Sequence, residues 1–238
     1  MIAELLKLLK SLTKEEIELL ESNDRQYRAL KKLFSSLKEP ELFLKLVVVN
    51  ALLSYQLQMK GEAYWEAFSR YFSENPNLEN FAEFLKLYNR RFLPAKLKRL
   101  KKVLRCIEEI TKDRSILSFG ENLKKLVEEL ALCLNQKKDS KTVVFAAKMF
   151  MYGYRIVTGK EPERLEDIAI PVDSRLSKIN PDKEFWKELS RKSGIPQIHL
   201  DAVFWVPAGM KEEKMEGLPE NLKGKLKRLR QLLLTLSS

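Results

Sequence analysis

The chain has 238 residues, of which 45% are apolar and 32% are charged, with only 8 glycines and 9 prolines. This composition is typical of an ordered, helix-rich globular protein and excludes a fibrous or disordered chain. The 44 Lys and Arg residues exceed the 33 Asp and Glu residues and give a net charge of +11, which is compatible with a polyanionic partner.

The cysteine and histidine content excludes several kinds of metal site. Two cysteines, Cys106 and Cys133, cannot supply an iron–sulfur cluster or a four-thiolate zinc site, and His199 is the single histidine. Both cysteines lie in apolar helical sequence, so we expect free buried thiols rather than a disulfide. We expect no metal and no organic cofactor.

The apolar runs are far shorter than a membrane span, and the N-terminus carries charge too early for a signal sequence. We therefore expect a cytoplasmic protein that does not bind a membrane.

Helical periodicity recurs along the chain and predicts an all-α fold. A capping box at residues 13–16 opens a helix. Proline- and glycine-containing breaks separate the segments that follow. The predicted helices span residues 25–37, 40–59, 61–73, 78–89, 94–112, 121–134, 140–157, 174–179, 182–192, 196–205 and 219–236.

A basic run without any acidic residue falls in the middle of the chain. It consists of Arg90, Arg91, Lys96, Lys98, Arg99, Lys101, Lys102 and Arg105. Such a run is either a solvated helix face or a phosphate-binding surface, and both interpretations stay open.

The segments 121–134 and 140–153 predict two helices joined by a short turn. Asp139 or Ser140 is placed to cap the second helix, which puts Lys141 in its first turn. The free amide groups and the positive end of the helix dipole disfavour a second positive charge there, and a neutral lysine amine is a nucleophile.

A helical wheel puts Lys141, Phe145, Lys148 and Tyr152 on one face of this second helix. Such a face suits a pocket that holds an anion, a flat ring and a nucleophile together. In the alternative interpretation, Phe145 belongs to the core and both lysines are solvated.

Asp173 follows the sequence Ile170-Pro171-Val172 and stands where the N-cap of a short helix belongs. A carboxylate held by N-cap hydrogen bonds stays ionised and rigid, so it can stabilise developing positive charge or help to activate an amine. A purely structural cap is the alternative.

Together, Lys141-Thr142-Val143 and Pro171-Val172-Asp173-Ser174-Arg175-Leu176 resemble the two signature segments of the helix-hairpin-helix DNA glycosylases. The usual glycine-rich turn is replaced here by Asn135-Gln136-Lys137-Lys138-Asp139, and the interval from lysine to aspartate is long. These departures resemble the archaeal 8-oxoguanine DNA glycosylases of the AGOG type, whose hairpin is noncanonical.

This resemblance implies a bifunctional enzyme of base excision repair that flips 8-oxoguanine out of DNA. Lys141 would be the nucleophile that attacks C1′, expels the base and forms a Schiff base before β-elimination nicks the strand. Asp173 would be its electrostatic partner. The implied partner is double-stranded, and possibly single-stranded, DNA containing 8-oxoguanine, and a monomer is expected.

The resemblance and the chemistry of a flipped base also indicate binding residues. An amide oxygen of Gln26 suits the N7–H that distinguishes 8-oxoguanine from guanine, and Asp201 could accept from the N1–H and amino groups. Stacking and substrate binding are assigned to Trp65, Phe145, Lys148 and Trp205. In the alternative, Trp65 and Trp205 are core residues and Gln26 is a surface amide; Trp186 and His199 are interpreted as structural.

For the architecture, the resemblance implies one helical unit, residues 1–238, made of two closely packed subdomains with a cleft between them. One would comprise residues 1–60 with 175–238, and the other residues 61–174, which carry the helix-hairpin-helix at 121–153. Two other functions stay open: a non-enzymatic helical protein that binds nucleic acid, and a related glycosylase for a different damaged base.

Overall fold

The computed structural model describes residues 2–209, 215 and 217–236. Within them the chain forms thirteen α-helices and two 3₁₀ turns and no β-strand, which confirms the predicted all-α fold. The helices α1 to α13 span, in chain order, Ile2–Lys10, Lys14–Ser22, Arg25–Leu37, Pro40–Leu53, Gly61–Glu74, Phe81–Tyr88, Leu93–Ile110, Leu123–Leu134, Lys141–Thr158, Ser174–Ile179, Lys183–Ser193, Gln197–Gly209 and Glu220–Leu236. The 3₁₀ turns are Leu78–Asn80 and Ile116–Glu121. None of the described helices is both long and apolar enough to span a bilayer.

Most predicted helices begin and end close to the expected residues, but the helix predicted over 40–59 ends at Leu53. The carbonyl oxygen of Leu53 accepts a hydrogen bond from the Asn89 side chain, and that of Leu52 accepts one from the Arg99 side chain, both at 2.9 Å. These side chains take the place of the next helical turn by satisfying carbonyl groups at the end of α4.

By packing, the chain forms two compact units. The smaller comprises Met1–Asp24 and Glu166–Ser238, and the larger comprises Arg25–Leu165. The predicted subdomains instead divide the chain after residues 60 and 174. The packing places α3 and α4 in the larger unit because α3 contacts α5 and α9, and α4 contacts α9.

The larger unit is built around the contact between α4 and α9. All residues of α4 from Leu46 to Leu53 are buried, and so are all residues of α9 from Ala146 to Gly153. At Gly153 the helices approach so closely that an added β-carbon would lie 2.7 Å from Leu44 Cδ2. A larger residue there would force the Leu44 side chain to shift, so glycine suits the observed separation of the two helices.

In the smaller unit, α12 contacts α2, α10, α11 and α13. Its side chains contribute to a core that also contains Leu5, Leu20, Trp186 and Leu226. This unit carries the short helix α10, which Asp173 caps.

Cys106 of α7 and Cys133 of α8 form a disulfide, with their Cα atoms 5.8 Å apart. The expectation of free thiols is therefore wrong. The reason is that α7 packs against α8, which brings two cysteines 27 residues apart within bonding distance.

The basic run is not a uniform solvent-facing stripe, because Lys96 is fully buried. Its ammonium group donates hydrogen bonds to Asn89 Oδ1 and, at 3.3 Å, to the carbonyl oxygen of Gln56. The Asn89 side chain donates in turn to the Tyr64 hydroxyl at 3.1 Å, and that hydroxyl donates to Asn50 Oδ1 at 2.7 Å. A chain of polar groups thus runs through the apolar interior of the larger unit.

Burial, followed by the charge of Arg91, lowers the pKa of Lys96 to about 8. An unfolded lysine has a pKa of about 10.4, so between these values the unfolded chain binds more protons than the folded one and stability rises with pH. We expect the unfolding free energy of the wild type minus that of Lys96→Met to rise by roughly 2 kcal/mol from about pH 7.5 to about pH 9.5. Chemical denaturation at the two pH values measures this difference. Lys98→Met, on the exposed part of α7, is the matched control, and a pH-independent value for Lys96→Met would contradict the shift.

Candidate active site

The hairpin places Lys141 at the exposed start of α9. After α8, Asn135 adopts a left-handed conformation with φ 53°, a role that glycine often fills, and reverses the chain. Ser140 occupies the N-cap position as predicted, but its side chain makes no cap hydrogen bond. The lysine side chain is accessible to a large substrate.

Phe145 lies one helical turn beyond Lys141 and meets Trp65 edge to face, with ring centroids 6.0 Å apart and an interplanar angle of 74°. Trp65 is fully buried and also contacts Phe68, with centroids 5.1 Å apart. Phe145 is only partly buried. Trp65 therefore supports the ring of Phe145 from the core side.

Lys148 is 1% exposed, so the interpretation that both lysines of this face are solvated is wrong. Its ammonium group lies 5.4 Å from the centroid of the Tyr152 ring. Tyr152 in turn meets Tyr27 edge to face at 5.2 Å. A buried cation needs such compensation because it has lost its hydration.

Gln26 is also buried, at 3% exposure, and is not a surface amide. It lies in the first turn of α3, next to Arg25, whose guanidinium donates two hydrogen bonds to the Glu66 carboxylate at 2.8 and 2.9 Å. This bidentate pair ties the start of α3 to α5 beside Trp65. The helix α3, which carries Gln26, packs against both α5, which carries Trp65, and α9.

Asp173 caps α10, as the sequence predicted. Its Oδ1 accepts hydrogen bonds from the backbone N–H groups of Arg175 and Leu176, both at 2.9 Å. Its Oδ2 accepts one from the indole Nε1–H of Trp205, also at 2.9 Å. Three donors therefore fix both oxygens of this carboxylate in orientation.

Trp205 is more than a core residue, because its partly buried ring is tied to charged groups. The guanidinium carbon of Arg175 lies 4.2 Å from the centroid of the indole ring, and Arg175 Nη1 donates to the carbonyl oxygen of Trp205 at 3.4 Å. Sequence reasoning did not identify Arg175 as a partner of Trp205, although it stands two positions after the capping aspartate. Asp201, buried at 3% exposure, lies one turn before Trp205 on α12.

The predicted site residues belong to both compact units. The larger unit carries Gln26, Trp65, Lys141, Phe145 and Lys148, and the smaller unit carries Asp173, Asp201 and Trp205. In the part of the chain that the structure describes, no group of three or more His, Cys, Asp and Glu side chains is arranged to hold a metal ion.

Known proteins resemble this chain in sequence and fold. The profile of the AGOG family, described as N-glycosylase/DNA lyase, matches residues 6–235. An N-glycosylase/DNA lyase of Thermococcus kodakarensis is 37% identical over 210 residues, which cover 83% of this chain and 80% of the relative. One of Nanoarchaeum equitans is 40% identical over 202 residues, covering 84% and 88%.

A crystal structure of an 8-oxoguanine DNA glycosylase from Pyrobaculum aerophilum, complexed with 8-oxoguanosine, superposes with a TM-score of 0.79. Its sequence is 26% identical, and the match covers 95% of each chain.

The match to this family over residues 6–235, together with the similarity to these relatives, makes the chain a DNA glycosylase with lyase activity. The chain belongs to the AGOG family of N-glycosylase/DNA lyases. The predicted family and class of activity are confirmed, in preference to a non-enzymatic protein that binds nucleic acid.

We predict that Trp205→Phe slows single-turnover base release roughly 10- to 100-fold, since a hydrogen bond to a charged group contributes about 1.5–3 kcal/mol. The variant keeps an aromatic ring but removes the donor to Asp173 Oδ2. Quench-flow measurement at saturating DNA gives the rate. Trp186→Phe is the control, because the Trp186 indole donates to the carbonyl oxygen of Asn180 at 2.8 Å inside the core, and its loss should lower stability while leaving the rate unchanged. A Trp205→Phe variant as fast as wild type would contradict the role of this bond.

Proposed function

We propose that the enzyme excises 8-oxoguanine from DNA and then nicks the strand at the resulting abasic site. Support comes from its likeness to the 8-oxoguanine DNA glycosylase of Pyrobaculum aerophilum over 95% of both chains. The net charge of +11 suits DNA as a substrate, double-stranded and also single-stranded.

The observation that carries the proposal is the exposed Lys141 at the first position of α9. Its amine attacks C1′ of the damaged nucleotide and forms the C–N bond as the glycosidic bond breaks. The base leaves with the bonding electron pair and takes up a proton. Opening of the sugar ring gives the Schiff base, and loss of a C2′ proton breaks the C3′–O bond and cuts the strand.

Asp173 is proposed to stabilise the positive charge that develops at C1′ and to orient the attacking amine. A carboxylate fixed by two backbone N–H groups and the Trp205 indole is preorganised for this role, because it need not reorient as charge develops.

Stacking of the flipped base is assigned to the partly buried rings of Phe145 and Trp205. Trp65 acts by supporting Phe145 from the core. Extrusion of a base costs a few kcal/mol of stacking and pairing, and aromatic contacts recover part of this cost.

The polar edges of the base are assigned to Gln26 and Asp201, both buried. The amide oxygen of Gln26 would accept from N7–H, and the Asp201 carboxylate from N1–H and the amino group. Lys148, buried beside Tyr152, would bind the substrate as a cation held away from bulk water.

The same proposal includes a monomeric enzyme in the cytoplasm that needs no cofactor. The amine forms the bond to C1′, the carboxylate stabilises charge, and water exchanges the protons and hydrolyses the Schiff base to free the enzyme; one chain can bind one kinked duplex.

We predict that the wild type, incubated with a duplex containing 8-oxoguanine and borohydride, forms a covalent adduct, because borohydride reduces the Schiff base. Lys141→Gln should form none. The matched control is Lys137→Gln, which removes an exposed positive charge from the same hairpin and should retain the adduct. An adduct with Lys141→Gln would contradict the nucleophile, and stronger trapping by another damaged base would contradict the assigned substrate.

Asp173→Asn should lower the single-turnover rate of base release by at least about 100-fold, the range seen when an electrostatic group of an active site is removed. The asparagine oxygen can still cap α10, but the asparagine NH2 then faces the Trp205 indole N–H as a second donor, so the melting temperature should fall modestly while the dissociation constant for DNA changes little. Both are measured alongside the rate. If stability falls and the rate at a permissive temperature does not, Asp173 is only a structural cap.

A further inference from the structure

The turn before Lys141 contains no glycine, so Asn135 takes the left-handed position, and Ser140 provides no side-chain cap to α9. The Lys138 ammonium donates to Glu128 Oε1 at 3.0 Å and links the turn to α8 of the same hairpin. Within the turn, the backbone N–H of Gln136 donates to the carbonyl oxygen of Ala131 at 2.8 Å, and that of Ser140 donates to Lys137 at 3.0 Å. These bonds shape the turn but do not connect it to the rest of the unit.

Arg99 of α7 makes that connection. Its Nη2 donates to the side-chain oxygen of Gln136 in the turn and to the hydroxyl of Thr142 in the first turn of α9, both at 3.0 Å. Its Nε donates to the carbonyl oxygen of Leu52 at the end of α4, at 2.9 Å. One guanidinium therefore joins three segments: the end of α4, the hairpin turn and the residue next to Lys141.

Arginine is suited to this junction because its donors lie in a rigid plane, whereas a lysine ammonium is a single point on a flexible chain. The guanidinium is half-buried and lies 5.7 Å from the centroid of the Tyr55 ring, which limits its motion further. Lys102, one turn along α7, donates to the carbonyl oxygen of Leu134 at 2.8 Å and holds the end of α8.

We propose that Arg99 is a positioning residue for Lys141: it fixes the first turn of α9 against α4 so that the amine is aimed at its substrate. The inference rests on the proposed function, since it assumes that Lys141 is the nucleophile. Arg99 touches no substrate in this role and acts through Thr142 and Gln136.

We expect substitution of Arg99 to change the rate of base release and not the affinity for DNA. A displacement of about 1 Å at a reacting group costs about 100-fold in rate. Arg99→Gln should therefore lower the single-turnover rate of base release at saturating DNA by roughly 10- to 100-fold. Arg99→Lys retains the charge but not the planar set of donors, and should recover only a small part of the loss.

The test compares Arg99→Lys, Arg99→Gln, Thr142→Val and the double variant Arg99→Gln/Thr142→Val with the wild type. The charge control is Arg105→Gln, which removes a cation from the exposed part of α7. For each protein we would measure the single-turnover rate, the dissociation constant for DNA, and hydrogen exchange of amides 136–145. Arg99→Gln should speed this exchange, and Arg105→Gln should not. The double variant should release the base no more slowly than Arg99→Gln alone, because both substitutions break the same junction.

Three results would overturn the inference. The first is a rate of base release by Arg99→Gln within about threefold of that by Arg105→Gln. The second is full activity in Arg99→Lys. The third is a loss of rate in the double variant that equals the product of the losses in the two single variants. A wild type that forms no borohydride adduct with 8-oxoguanine DNA contradicts the proposed function itself, and the inference falls with it. If the wild type forms the adduct and Arg99→Gln releases the base as fast as the wild type, only the role of Arg99 is contradicted.

Discussion

The burial of α9 against α4 is the contact on which the proposed chemistry depends. Hydrophobic burial holds residues 146–153 of α9 in the core of the larger unit, whereas Lys141 at the start of the helix and Thr158 at its end are exposed. Lys141 thus begins a helix whose middle is buried in the core. A nucleophile on such a support needs little additional ordering when DNA arrives, because the entropy of fixing its backbone was lost when the protein folded.

The basic residues of α7 have internal roles as well as a place on a basic surface. Arg99 donates to the last turn of α4, and Lys102 donates to the last carbonyl of α8. Cations are favourable at these positions because helix C-termini carry partial negative charge and carbonyl groups without partners. Lys96 goes further and sits in the core on a chain of amide and hydroxyl groups. The surplus of positive charge in this protein is therefore partly structural.

The sequence predicts those features whose causes lie within one helical turn. The Thr13 capping box and the Asp173 cap are both found, because each bonds to backbone groups two or three residues away. Features that depend on distant partners are not predictable in this way. The disulfide joins residues 27 apart, the end of α4 depends on Arg99, 47 residues on, and the indole bound to Asp173 lies 32 residues beyond it. In the candidate site, the residue types were indicated by family resemblance, whereas the burial of Gln26 and Lys148 follows from tertiary packing.

The packing of α4 against α9 at Gly153 influences the position of the distant Lys141 amine. Gly153 lies twelve residues from Lys141, a distance of about 18 Å along a helix axis, so a tilt of about 5° at Gly153 would swing the amine by about 1.5 Å. A methyl group at position 153 would push against Leu44 and could tilt α9 away from α4 at this contact. Where evolution places alanine at this position, a smaller side chain than leucine should accompany it at position 44, so the two positions should vary together even though neither touches DNA.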